Sequence, residues 1–131
     1  MEKAANSVYL KKVPEAAVLR GCLAYLRLKN ICHWRQNTGS VKIEERYVQF
    51  GEKGLADIIG ILPDGKFLAV ECKSAKGTQT IHQRNFQLIV ERSGGVYLLV
   101  KDAQHLVNFI ESYKGSSISP LPQGRGVPLA R

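Results

Sequence analysis

Residues 54–73 read GLADIIGILPDGKFLAVECK. Two apolar runs, Ile58–Leu62 and Phe67–Val70, flank the turn Pro63-Asp64-Gly65-Lys66. Short runs rich in Ile, Val and Phe on either side of a Pro/Asp/Gly turn predict two strands of a hairpin. Three charged residues interrupt this pattern: Asp57 begins the first strand, and Glu71 and Lys73 end the second. Strand side chains alternate faces, so Glu71 and Lys73 point one way while Val70 and Cys72 point the other. A turn at 63–66 folds residue 57 back beside residues 71–73. Two carboxylates and one ammonium then meet at the open end of a buried hairpin.

Ionised groups in such a place are costly unless they pair with each other or bind a metal. A plain salt bridge among Asp57, Glu71 and Lys73 is one reading. The other is a divalent cation site, since Mg²⁺ takes one or two protein carboxylates and completes its shell with water and phosphate. Two acids and a lysine, each at a strand end inside apolar sequence, favour the cation.

Gly-x-x-Asp followed by Glu-Cys-Lys resembles the PD-(D/E)xK nuclease superfamily. The longer pattern is Gly54-Leu55-Ala56-Asp57-Ile58, Val70-Glu71-Cys72-Lys73-Ser74 and Gln83, with Arg35-Gln36-Asn37-Thr38-Gly39 upstream. It is similar to the virus-type replication-repair nuclease (VRR-NUC) family over roughly residues 12–111. The resemblance implies an α/β fold with a restriction-endonuclease-like core, in which a small mixed sheet is flanked by helices. It implies Mg²⁺ or Mn²⁺ held by Asp57, Glu71 and the backbone carbonyl of Cys72, with Lys73 beside the metal. It also carries an acid on the first helix to Glu15, and a site glutamine to Gln83.

The rest of the chain is compatible with this. At 131 residues it is one domain by length. It is 44% hydrophobic, enough to bury a core, and no apolar run is long enough to span a bilayer. The start, MEKAANS, lacks the apolar segment of a signal peptide, which points to an intracellular, cytoplasmic protein of a bacterium or phage-infected cell. Cys22, Cys32 and Cys72 are odd in number and form no CxxC pair, which argues against zinc and a disulfide framework. A net charge of +8 suits a polyanion partner.

Residues 1–12 read as a flexible N-terminus. Pro14 and the stripe Leu19, Cys22, Leu23 and Leu26 predict a helix over Glu15–Lys29, ended by Asn30. Glu15 is also a first-turn acid of the kind the helix dipole favours. Ile31–Gln36 predicts a strand, and Asn37-Thr38-Gly39-Ser40 a turn. Residues 40–53 alternate imperfectly and allow either an edge strand or a structured loop. Ser74–Thr80 is a polar connection leading into a helix over Ile81–Arg92. There, Thr80 and Gln83 fit a capping box, which competes with the site role for the Gln83 side chain. Gly94-Gly95 ends that helix, Val96–Val100 is a strand, and Ala103–Glu111 is a further helix. His82 and His105 lie in helices without ligand spacing. Residues 112–131 read as a disordered basic tail.

Phosphate contacts are expected from Arg35, Asn37, Thr38, Lys42, Arg46, Lys76, Thr78 and Gln79. The function so implied is a structure-selective DNA endonuclease that hydrolyses phosphodiester bonds. A partner of branched or four-way-junction DNA and a homodimer resembling Holliday junction resolvases go with it. The alternatives are a weak or inactive branched-DNA-binding module, a flap- or nick-processing nuclease, and a small basic RNA-binding protein. The last lacks the strand-borne aromatics expected for base stacking.

Overall fold

A computed structural model describes residues 13–36, 39–50 and 53–113, apart from the side chains of 39–42 and 47–50. The expected tail beyond 113 and the N-terminal segment 1–12 lie outside the described residues. In chain order the elements are α1 (Glu15–Leu28), β1 (Cys32–Arg35), β2 (Gly39–Ile43), β3 (Arg46–Phe50), β4 (Ile58–Ile61), β5 (Phe67–Cys72), α2 (Ile81–Arg92), β6 (Val96–Val100) and α3 (Ala103–Ser112).

β1, β4, β5 and β6 form one mixed sheet in that order. β4 pairs antiparallel with both β1 and β5, while β5 pairs parallel with β6. A parallel pair requires a crossover connection, and α2 supplies it. The expected hairpin is β4–β5, and its turn closes through Leu62 N–H to Lys66 O at 2.8 Å, with Gly65 at φ 91°. Positive φ is where glycine carries no steric penalty.

Side-chain alternation sorts the sheet into two faces. Ile58, Leu68, Val70, Cys72, Leu98 and Val100 pack under α1 and α3, against Val18, Cys22, Leu26 and Leu106. On the opposite face Ile59, Ala69 and Tyr97 pack against Val90 and Phe86 of α2. This gives an α/β fold with helices on both sides of a four-stranded mixed sheet. A one-residue slip of β5 would bury Glu71 under α1 and turn Cys72 outward, so the two apolar faces lock the register. Cys22 and Cys72 are fully buried against one another, as plain core residues.

Three boundaries differ from expectation. The segment after β1 holds two strands rather than one, and the first begins at Gly39, inside the expected turn. The two form a hairpin, β2–β3, pairing Gly39 with Phe50 through to Ile43 with Arg46 as a separate two-stranded sheet. Asp57 stands just before β4 rather than as its first residue. The last helix continues through Ser112, and Tyr113 stacks on Phe109 at 5.4 Å and donates to Asp64, so the folded part runs past 111. α1 ends as expected: Asn30 adopts φ 55° and Ile31 N–H reaches back to Leu26 O at 3.1 Å.

Candidate metal centre and adjoining cleft

The pairing of Ile58 with Val70 places Asp57 beside Glu71 on the α2 face. Asp57 is anchored there by the backbone, since its Oδ2 accepts from Cys72 N–H at 2.8 Å. Glu71 is only 2% exposed. Its Oε2 accepts from Gln83 Nε2 at 3.0 Å and lies 3.5 Å from Lys73 Nζ. Its Oε1 is buried without a partner. Burial, followed by the nearby Asp57 charge, pushes the Glu71 carboxyl up to about 8, against the opposing pull of Lys73.

A buried carboxylate oxygen with no hydrogen bond calls for an explanation. The Glu71–Lys73 ion pair does not supply it, because that pair uses the other oxygen. Without a metal, a proton on Glu71 shared with Asp57 relieves the pair; a cation between Asp57 and Glu71 would take that proton's place and offset the proximity of the two acids. Among the described residues no group of three or more His, Cys, Asp and Glu side chains could hold a metal ion. The side-chain donors here are two carboxylates, an oxygen set that suits Mg²⁺ or Mn²⁺ better than zinc.

No family model matches the chain, and neither the curated proteins nor the solved structures contain a match to it.

Gln83 corrects an expectation. Capping and contact with the acids compete for one side chain in the sequence reading, yet the Gln83 amide both caps α2 and reaches Glu71. Its Oε1 accepts from Thr80 N–H at 2.9 Å, while Nε2 donates to Glu71. Thr80 Oγ1 in turn accepts from Gln83 N–H at 3.1 Å, completing the capping box. The start of α2 is thus fastened to the acid pair.

Gln79, expected as a phosphate contact, is bonded inside the fold in the ligand-free chain. Its Nε2 donates to Gln87 Oε1 at 2.8 Å and to Tyr97 OH at 3.2 Å, so its donor group is used inside the fold. Lys76 and Thr78 are exposed in the loop after Lys73. That loop turns back over Lys73, as a Cβ on Gly77 would lie 3.1 Å from the Lys73 Cβ. Glu15 is exposed in the first turn of α1, and among the described residues it makes no ion pair or side-chain hydrogen bond with the acid pair. Arg46 is exposed at the hairpin. Asn37, Thr38 and the Lys42 side chain lie outside the described residues.

The structure also brings in residues that sequence reasoning did not select. A cleft of about 360 Å³ adjoins the acids, lined by Arg35, Gln36, Lys53, Gly54, Leu55, Asp57, Thr80, His82 and Gln83. Its shape depends on Gly54, which has φ 85° and whose added Cβ would lie 2.4 Å from the His82 carbonyl oxygen. Only glycine permits this contact between the 53–55 loop and α2. The positive-φ requirement is the one signal in the sequence that could have pointed to the cleft, through the glycine of G-L-A-D.

Among the described residues no helix is long and apolar enough to cross a membrane.

Proposed function

We propose that this chain is a metal-dependent DNA endonuclease with a PD-(D/E)xK core of the VRR-NUC type. The observation that carries the reading is the meeting of Asp57, Glu71 and Lys73 at the end of β5, where Glu71 is buried and keeps one oxygen, Oε1, without a hydrogen bond. The resemblance of the same residues to the family motif and the +8 charge add support.

Asp57 and Glu71, with the Cys72 carbonyl, would hold Mg²⁺ or Mn²⁺. A bound cation supplies a lowered water pKa and neutralises charge on the phosphate. The chain's own residues do the rest. Lys73 Nζ, close to Glu71 Oε2, orients the attacking water, assists its deprotonation and stabilises the charge that develops. The Cys72 N–H fixes the Asp57 carboxylate, and Gln83 fixes that of Glu71, so neither acid must reorganise as substrate arrives. The family resemblance also assigns Glu15, exposed in the first turn of α1, as a further site acid.

The substrate is taken to be branched DNA, and a two-fold dimer would place two active sites for symmetric cuts. The test is a cleavage panel of single-stranded, duplex, flap and four-way-junction DNA with Mg²⁺ and Mn²⁺. Paired cuts in the junction support the reading. No cleavage of any substrate with either metal would overturn it.

A further inference from the structure

The cleft beside the acids brings together three cationic or titratable side chains from separate parts of the chain. Arg35 arrives at the end of β1, placed by its pairing opposite Ile58 and by the Gln36 N–H to Asp57 O hydrogen bond at 2.7 Å. Lys53 arrives on the loop that Gly54 presses against α2, and His82 belongs to the first turn of that helix. All three are exposed at their outer ends and line a single cleft whose inner wall is Asp57 and Gln83. The capping box uses the N–H groups of Thr80 and Gln83. Of the first turn's free donors it leaves those of Ile81 and His82, at the helix end that attracts anions. Among the described residues none of these three side chains is bonded to Asp57 or Glu71, whose partners there include Cys72 N–H, Gln83 and Lys73. The acid pair repels a polyanion, and the adjoining cleft attracts one.

Resting on the nuclease reading of Asp57 and Glu71, we infer that this cleft seats a phosphate of the DNA strand next to the scissile one. Arg35 and Lys53 supply the charge, and His82 with the start of α2 supplies hydrogen bonds. The cleft thereby sets the strand's position relative to the acids, so Arg35 and Lys53 are positioning residues rather than catalytic ones.

The test is fluorescence anisotropy in Ca²⁺, using duplex and four-way-junction DNA that carries a single uncharged methylphosphonate at successive positions. The wild-type chain should lose about tenfold in affinity at one internal position, and the slope of log affinity against log salt should fall by about 1 there. The variant Arg35→Ala/Lys53→Ala should lose the same amount on unmodified DNA and be indifferent to the methylphosphonate at that position. Both side chains are exposed, and a thermal melt checks that the fold survives; Lys53→Glu alone should weaken binding further by adding repulsion. Additive effects at every position, or coupling confined to a terminal 5′-phosphate, would overturn the assignment. A chain that cuts DNA but shows no such coupling keeps the nuclease reading and loses the cleft. For a chain that binds without ever cutting, the nuclease reading falls and the coupling alone decides the cleft.

Discussion

Glu71→Gln should stabilise the metal-free protein at high pH while removing its activity. Burial and the neighbouring Asp57 raise the Glu71 carboxyl from 4.5 to about 8 in the folded chain. Each tenfold step in an ionisation constant is about 1.4 kcal/mol, so ionising Glu71 without metal costs the fold on the order of a few kcal/mol. The sign follows from linkage. The folded value lies above the unfolded one, so the stability this group contributes is fully present below about 4.5 and is lost as pH rises through about 8. Glutamine has no charge to desolvate, and its amide oxygen can still accept from Gln83. The value of about 8 is already net of the Lys73 attraction, so loss of that ion pair takes nothing further from the gain. A net gain of about 2 kcal/mol is expected at pH 9, and little difference near pH 4.5. In a domain of this size that is a rise of about 8 °C in Tm. The assay is thermal unfolding in EDTA at the two pH values, repeated with Mn²⁺. Manganese should raise the Tm of the wild type and leave the variant unmoved. A variant less stable than wild type at pH 9 in EDTA would refute the claim that Glu71 is held at a cost to the fold.

Other consequences concern separate parts of the structure. Gln83→Ala removes half of the capping box and the donor to Glu71, so about 1–3 kcal/mol of stability should be lost, together with about 10–100-fold in metal affinity or rate. Urea unfolding and single-turnover cleavage measure the two, and loss of stability with an unchanged rate would leave only the cap. Gly54→Ala meets both a φ of 85° and the His82 carbonyl oxygen at 2.4 Å, and should cost about 2–4 kcal/mol in urea unfolding. Light scattering at micromolar concentration should give about twice the 14.5 kDa chain mass if a dimer forms. A monomer that only nicks a junction would move the function toward flap or nick processing.

What could be read from the sequence depended on how local the determining contact was. α2 and β6 were legible because Thr80, Gln83 and Gly94-Gly95 mark their boundaries within the segment itself. The meeting of Asp57 with Glu71 was legible because one tight turn separates two short strands, and the register then follows from which face is apolar. The β2–β3 hairpin was not, since its alternation is imperfect and its strands pair only with each other. The double use of Gln83 was hidden because motif reasoning gives a side chain one role, whereas an amide has an accepting and a donating end. Lys53 and His82 went unselected because their meeting depends on a close contact between segments far apart in the chain. Gln79 looked like loop surface, but Gln87 and Tyr97 lie where its amide nitrogen can reach them. His33 drew no attention either, although it is buried in β1 with its Nδ1 2.7 Å from Ile31 O.

The central claim is that Asp57 and Glu71 form the metal centre of a nuclease. It is tested most directly by single-turnover cleavage of a four-way junction in Mg²⁺, comparing wild type with Asp57→Asn at saturating protein. Asparagine keeps an oxygen to accept from Cys72 N–H, so the fold and DNA binding should survive. The account predicts cleavage by the wild type, none by the variant, and binding by the variant at least as tight as wild type, because a repelling charge has gone. Cleavage by Asp57→Asn at the wild-type rate would contradict it.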